Sequence, residues 1–217
     1  MLRSAWARLR GAREFLRERP VPRRITKVLS AFMLLGGLAL VLFPLFTNLF
    51  ANHLQGKLRV ELESTGLRRA YVLRKVPVGH ALTRLVIPKL GVDTVVVQGT
   101  TLSALRAGSG HYVRSALPCE DGNAAIAGHR TTYSQPFAEL DELRPGDRID
   151  LQTPIGRCVY QVVRRPWAIG PYDWGAVMPH TSGALLTLTT CNPPGWATQR
   201  LVVRARLVQR GVAADFD

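Results

Sequence analysis

The 217-residue sequence carries 29 Lys/Arg against 15 Asp/Glu, a net charge of +14, and 47% of its residues are hydrophobic. That apolar fraction is ordinary for a packed globular domain and excludes a chain that is disordered throughout. Half of the excess charge lies in residues 1–27, which hold nine Lys/Arg and two Glu. The rest is spread along the chain without a basic stripe, so nucleic-acid binding is not indicated.

Residues 28–50, VLSAFMLLGGLALVLFPLFTNLF, predict one transmembrane helix because they contain no charged residue. At about 1.5 Å per residue they reach roughly 35 Å, enough to cross a ~30 Å hydrocarbon core even with Pro44 near the outer end. The run is too long for the apolar part of a signal peptide, lacks a convincing cleavage pattern, and has no polar face to suit a core helix. Positive charge on its N-terminal side predicts a cytoplasmic tail over residues 1–27 and an extracellular remainder.

Residues 51–78 mix charges with scattered apolar residues and are interpreted as a juxtamembrane spacer or helix that holds the next domain away from the bilayer. From residue 79 the pattern changes to short runs rich in Val, Ile, Leu and Thr, separated by Gly and Pro. This pattern predicts an all-β barrel or sandwich over residues 79–210. Short helices are expected at Leu102–Arg106 and Phe137–Leu143, and residues 211–217 are interpreted as a loose tail.

The three cysteines leave at least one thiol without a disulfide partner. None of them lies at C-x₂₋₄-C spacing and the five histidines are scattered, so no metal site is expected. A Cys119–Cys158 disulfide stays open, because the sequence does not give its geometry. Cys158 is more simply a buried strand residue. Cys191 follows the strand-like run LLTLTT and precedes Asn-Pro-Pro-Gly, which would put its side chain at a barrel rim as a candidate nucleophile.

A nucleophilic cysteine needs a base or ion-pair partner, because the thiolate is the reactive form. His129 ends the strand-like run NAAIAG and begins the polar run HRTTY, so it also occupies a strand terminus. His111, in GSGHY, is its closest rival, and His180 lies in a loop before the cysteine strand. His53 and His80 are interpreted as surface residues.

Arg200 begins the next predicted strand after a turn of about eight residues. That strand would run antiparallel beside the Cys191 strand, with the guanidinium near the thiol, where it could stabilise an oxyanion by about 3–4 kcal/mol. A solvated surface arginine is the alternative interpretation. A phosphatase loop is not indicated, because that chemistry needs C-x₅-R leading into a helix.

The segment TLTTC (187–191) resembles the TLxTC signature of the sortases, the membrane-anchored cysteine transpeptidases of Gram-positive bacteria, and Arg200 falls where their catalytic arginine lies. NAAIAGHRTTY (123–133) resembles the segment that carries their catalytic histidine, which favours His129 over the other histidines. The similarity extends over roughly residues 80–208. It implies an all-β, sortase-type closed barrel of about eight strands with short helices, preceded by one N-terminal transmembrane helix.

The AGHRTTY and GHY segments, and the lack of a second membrane helix, resemble the class E sortases of high-GC actinobacteria rather than the pilin-polymerising class C. Class E resemblance implies a preference for an LAxTG-type sorting signal over LPxTG, with Tyr112 contributing to that choice. Cys119 departs from the family, whose members usually have glycine there, and leaves the redox state of that loop open.

The resemblance implies that Cys191 attacks the Thr–Gly carbonyl of a sorting signal while Arg200 holds the oxyanion and His129 protonates the departing amine. An amine of a peptidoglycan precursor then resolves the thioester, and Thr190 is expected to line the substrate groove. The implied partners are secreted proteins with a C-terminal sorting signal, the membrane and the wall precursor, with no metal or organic cofactor. The alternatives are a cysteine peptidase that releases its product to water and a non-catalytic, membrane-tethered barrel that binds the wall.

Overall fold

The computed structural model describes residues 20–178 and 183–211. Most of the predicted cytoplasmic tail, the predicted C-terminal tail after residue 211, and His180 lie outside the described residues. Contacts divide the chain into two units, residues 1–46 and 47–217.

A single helix, α1 (Pro20–Leu62), begins in the first unit and ends in the second. The large apolar side chains that it carries before residue 47 are exposed; Phe32 and Leu40, for example, are 75% and 77% exposed. By length and composition this helix could cross a membrane. The apolar run over residues 28–50 is part of this helix, which continues beyond it without a break for another three turns.

The described residues of the second unit form two further helices and nine strands. The helices are α2 (Thr65–Val72) and α3 (Leu102–Arg106), and single 3-10 turns lie at Pro88–Leu90, Leu140–Glu142 and Trp174–Ala176. The strands are β1 (Ala81–Ile87), β2 (Val92–Gln98), β3 (Gly110–His111), β4 (Gly122–Ala127), β5 (Arg148–Thr153), β6 (Gly156–Val162), β7 (Trp167–Ile169), β8 (Ala184–Asn192) and β9 (Gln199–Gly211).

Eight strands close into a barrel in the order β6-β5-β1-β2-β3-β4-β8-β9, and β9 pairs back onto β6. The β2–β3 and β4–β8 pairs are parallel and the other pairs are antiparallel. The first part of β9 pairs with the short strand β7, and its later part closes the barrel against β6. The predicted all-β closed barrel of about eight strands with short helices is therefore confirmed.

The barrel interior is filled by alternate residues of the strands. Leu186 and Leu188 of β8 and Val203 and Ala205 of β9 point into this core and are fully buried. Because side chains alternate across a strand, the residues between them face the outer surface of the barrel. This alternation decides which side chains near Cys191 can meet a substrate.

The segment interpreted as a juxtamembrane spacer or helix packs against the barrel. Leu58 of α1 and Leu67 and Tyr71 of α2 are buried in a second apolar cluster with residues of β1 and β2. The Tyr71 hydroxyl donates a hydrogen bond to the Pro118 carbonyl at 3.0 Å. Residues 47–76 therefore belong structurally to the barrel unit.

Cys119 and Cys158 form a disulfide with a Cα–Cα distance of 5.7 Å, which leaves Cys191 as the free cysteine. Cys119 has a φ of 68°, in the left-handed region that glycine adopts most easily. The family resemblance predicts glycine at this position, and the backbone conformation here is one that suits glycine. In this chain a disulfide-bonded cysteine occupies it.

Candidate active site

The strand register places Cys191 opposite Arg200. The two residues are direct Cα partners in the antiparallel β8–β9 pair, so their Cα atoms are about 4.5–5.5 Å apart and both side chains leave the same face of the sheet. That face is the outer one, because the neighbouring Thr190 and Leu201 lie on the core side. The arrangement agrees with the geometry expected from the C-x₈-R spacing.

The Arg200 guanidinium is held by its own turn. Its Nη1 donates to the carbonyls of Ala197 at 3.0 Å and Gln199 at 2.9 Å. These two bonds use one of the three guanidinium nitrogens. The other N–H groups of Arg200 can therefore still donate to an oxyanion formed at Cys191.

The parallel β4–β8 pair brings the segment that carries His129 to the other edge of the Cys191 strand. Its last paired residues are Ala127 and Thr189, and the Gly128 N–H donates to the Thr189 carbonyl at 3.0 Å. Extended by two residues, the same register brings the His129 backbone level with Cys191, on the side of β8 away from the Arg200 strand. Within the described part of the chain the imidazole has no hydrogen bond to the thiol. In enzymes without bound substrate, the hydrogen bond between a catalytic base and its nucleophile is often long or poorly aligned.

Burial lowers the pKa of His129 below its ordinary value of 6.5, because the charged imidazolium loses hydration there. The neutral ring therefore predominates at neutral pH. A neutral imidazole beside a thiol is able to accept its proton, and after that transfer it carries a proton that it can donate.

Thr190 lies on the other face of β8. It is 3% exposed, and its hydroxyl donates to the Gly128 carbonyl at 2.8 Å. The structure does not bring this side chain to the outer face, because neighbouring residues of a strand point in opposite directions. The expected contact with substrate does not fit this position. The bond instead ties the strand of Cys191 to the residue before His129.

Tyr112 lies on the same outer surface as Cys191. Its hydroxyl is 3.2 Å from the Thr189 hydroxyl, and Thr189 precedes Cys191 by two residues, or about 7 Å along the strand. The Tyr112 ring meets the edge of Trp174, with the ring centroids 6.4 Å apart. The two rings therefore pack together next to Thr189 on this surface.

Arg130 is a site residue that the sequence analysis missed. Its side chain is buried, pairs with Asp141 at 2.9 Å and donates to the Asn192 side-chain oxygen at 2.8 Å. Arg130, the residue after His129, is therefore hydrogen-bonded to Asn192, the residue after Cys191. The sequence signal for Arg130 was its place in Gly-His-Arg, directly after the candidate histidine.

Three other histidines lie within the described residues. His111 is fully buried, its two ring nitrogens contact the Gln98 side chain and the Ala116 carbonyl, each at 2.8 Å, and burial lowers its pKa to about 4. His53 is exposed, and His80 pairs with Glu61. Among the described residues no group of three His, Cys, Asp or Glu side chains could hold a metal ion.

A closed barrel with a thiol between imidazole and guanidinium positions on its outer surface defines a candidate cysteine-dependent acyl-transfer enzyme. A family model described as "Sortase domain" matches residues 85–208, more than half of the chain. The chain therefore belongs to the sortase family, as predicted.

Among curated proteins, Sortase SrtE1 of Streptomyces coelicolor is 30% identical over 145 residues, covering 60% of this chain but only 41% of SrtE1. Sortase D of Bacillus subtilis is 31% identical over 137 residues, covering 62% of this chain and 67% of that protein. The chain thus matches less than half the length of SrtE1.

Among solved structures, sortase E from Streptomyces avermitilis has a TM-score of 0.60 and 32% identity, covering 65% of this chain and 96% of that one. The Clostridium perfringens Sortase D5 transpeptidase has a TM-score of 0.64 and 26% identity over 74% of this chain and 99% of that one. Sortase E1 from S. coelicolor, solved with a tripeptide in the active site, has a TM-score of 0.59 and 28% identity over 64% and 94%. The chain is most like the class E sortases.

Proposed function

We propose that this protein is a membrane-anchored cysteine transpeptidase. It cleaves a C-terminal LAxTG-like or LPxTG-like sorting signal between Thr and Gly and transfers the protein to an amine of a cell-wall precursor. The observation that carries the proposal is the placement of Cys191, the one free thiol among the three cysteines, opposite Arg200 and in step with His129.

In the first half-reaction the Cys191 sulfur attacks the threonine carbonyl carbon, and the thiol proton passes to His129. Arg200 donates to the oxyanion, a stabilisation that is often the largest single contribution to such a reaction. When the tetrahedral intermediate collapses, the C–N bond breaks and His129 gives its proton to the leaving glycine amine. The product is a thioester between the protein substrate and Cys191.

In the second half-reaction an amine attacks the thioester carbonyl. His129, neutral again, takes the proton from the amine while Arg200 holds the second oxyanion. The C–S bond then breaks, an amide forms, and His129 gives its proton to the departing sulfur, which restores the thiol. The lowered pKa of His129 supports this role, because the neutral ring is the form that accepts the proton.

Tyr112 is proposed to contact the residue of the sorting signal that distinguishes LAxTG from LPxTG. Its position supports this role, because its hydroxyl lies next to Thr189 on the face that carries Cys191. For Thr190, the buried hydrogen bond to the Gly128 carbonyl supports a role in holding the two strands of the site in register.

The catalytic barrel is proposed to lie outside the cell, with residues 1–27 in the cytoplasm. Two observations support this topology. Basic residues concentrate on the N-terminal side of the apolar stretch, as they do on the cytoplasmic side of membrane helices. In addition, the barrel carries a disulfide, and disulfides persist in oxidising compartments.

The experiment that tests the function is a product-partition assay. The full chain in detergent is mixed with LAxTG and LPxTG peptides, with and without a glycine-based or stem-peptide amine, and the products are identified by mass spectrometry. An amine-ligated product is expected. Free acid alone would indicate a cysteine peptidase, and peptide binding without any product would indicate a non-catalytic wall-binding barrel.

A further inference from the structure

The loop that carries His129 is fixed at its base. After β4 the chain runs through residues 129–137 and returns, and the Phe137 N–H donates to the His129 carbonyl at 3.1 Å. The Phe137 ring is fully buried in the barrel core and packs against Gly128, which leaves no room there for a Cβ. The two ends of the loop are therefore held by the barrel itself.

The tip of the same loop has a conformation that its residues disfavour. Tyr133, Ser134 and Gln135 have φ values of 51°, 61° and 48°, so three successive residues, none of them glycine, lie in the left-handed region. A Cβ clashes with the backbone in this region, and such conformations persist only where the surroundings impose them. Something outside the loop must therefore hold its tip.

The contacts at the tip come from helix α1, in the part that follows residue 46. The Ser134 N–H donates to Asn48 Oδ1 at 2.8 Å, and the Ser134 hydroxyl donates to Asn52 Oδ1 at 2.8 Å. Asn48 and Asn52 are four residues apart and so lie on one face of the helix. Two acceptors on one helix face thus hold both donors of the central strained residue.

The helix is itself fastened to the barrel one turn further on. Gln55 accepts from the Val95 N–H at 2.7 Å and donates to the carbonyls of Val95 at 2.9 Å and Ala107 at 2.6 Å. Ala51, between the two asparagines, is fully buried. The position of the asparagines is therefore set by the barrel and not by the loop that they hold.

The strained tip lies against the candidate catalytic base. The Tyr133 ring is 5.3 Å from the His129 imidazole, centroid to centroid, with the planes tilted by 34°. We propose that Asn48 and Asn52 are positioning residues of the active site: by holding Ser134 they keep Tyr133 against His129 and so keep the imidazole beside Cys191. The C-terminal part of α1 then helps to position the active site in addition to linking the barrel to the membrane. The catalytic part of this inference rests on the proposed function.

The test compares two double variants of the full chain in detergent. Asn48→Leu with Asn52→Leu keeps the side-chain size but removes both acceptors, whereas Asn48→Asp with Asn52→Asp keeps an acceptor oxygen at each position. Lys57→Leu, at an exposed position of the same helix, is the control. The readouts are hydrogen exchange of the segment 131–136 and the rate of thioester formation as a function of peptide concentration.

The leucine pair should speed exchange in this segment about tenfold while the strands exchange as in wild type, because two hydrogen bonds to Ser134 are lost. Its kcat should fall by about tenfold with KM changed less than twofold, because peptide contacts are untouched. The aspartate pair and Lys57→Leu should stay within twofold of wild type. Wild-type exchange or wild-type kcat in the leucine pair would overturn the inference, and so would an equal loss in the aspartate pair.

The proposed function and the role of Asn48 and Asn52 can be contradicted independently of each other. If wild type forms no thioester with any sorting-signal peptide, the proposed function is wrong. The exchange measurement still decides whether Asn48 and Asn52 hold the loop: faster exchange confined to residues 131–136 supports the contact, and unchanged exchange overturns it.

Discussion

Removing the Cys119–Cys158 disulfide should lower the free energy of unfolding of the barrel by about 4 kcal/mol. The two residues are 39 apart in the sequence, and closing a loop of that length removes about 13 cal/mol/K of chain entropy from the unfolded state, or about 4 kcal/mol at 25 °C. Cys158 is 1% exposed in the barrel core, so replacing it with alanine adds a small cavity cost to the same total.

Two matched double variants separate the crosslink from the backbone. Cys119→Ala with Cys158→Ala removes the bridge and leaves a side chain at a position with φ of 68°. Cys119→Gly with Cys158→Ala removes the bridge and supplies the residue that adopts this φ without a clash. The glycine pair should therefore be more stable than the alanine pair by roughly 1 kcal/mol.

The assay is denaturant unfolding of the full chain in detergent, followed by tryptophan fluorescence, with the rate of Cys191 alkylation as a control for the site. Alkylation should be unchanged in both variants under native conditions, because Cys191 is outside the bridge. Unfolding midpoints equal to that of the oxidised wild type would refute the reasoning. So would an alanine pair more stable than the glycine pair.

Three further predictions concern the titrating and charged groups. Arg200→Ala should lower kcat for thioester formation by about 10²–10³-fold with no loss of stability, because the side chain is a candidate oxyanion donor; a change below tenfold would contradict this. Burial lowers the pKa of His111 to about 4. As the pH falls below 6.5, this histidine therefore binds a proton in the unfolded chain before it does so in the folded protein. The free energy of unfolding should then drop by up to roughly 3 kcal/mol by pH 4, and His111→Gln should flatten this slope. Burial also lowers the pKa of His129, so the acidic limb of thioester aminolysis should have its midpoint below pH 6.5. A pH–rate profile with a midpoint at or above 6.5 would contradict the assignment of His129 as base.

The closed barrel could be predicted because the signals for its strands are local. Runs of β-branched residues between Gly and Pro predicted an all-β domain, and Leu102–Arg106 is helical as expected. The helix predicted over Phe137–Leu143 is only a 3-10 turn at Leu140–Glu142, because Phe137 and Leu140 are drawn into the barrel core. The order of the strands depends on pairings between distant segments, which no local pattern reports.

For the candidate site, too, the sequence predicts local relationships better than those between distant segments. Cys191 and Arg200 lie on strands that are adjacent in the sequence, so their pairing follows from one turn and one register. His129 approaches them only through the parallel β4–β8 pair. Its position at a strand end made it one of several candidates, and only the family resemblance favoured it over the other histidines. Thr190 was expected in the groove, although strand alternation from Cys191 would have placed it in the interior.

Two features could not be established from the sequence because they join residues far apart in the chain. The Cys119–Cys158 bond depends on where a loop crosses β6. The contacts of Asn48 and Asn52 with Ser134 link a helix to a loop more than 80 residues later. Asparagine and serine are common on surfaces, and nothing in their local sequence marks them as partners.

The most direct test of the central claim is intact-protein mass spectrometry of the full chain after incubation with an LAxTG peptide and no amine. The account predicts a covalent adduct with the mass of the acyl fragment ending at threonine. The adduct should map to Cys191 and be released as a ligated product when an amine is added. Cys191→Ala should form no adduct, and Cys119→Ala should form it normally. An adduct that persists in Cys191→Ala, or that maps to another residue, would contradict the account.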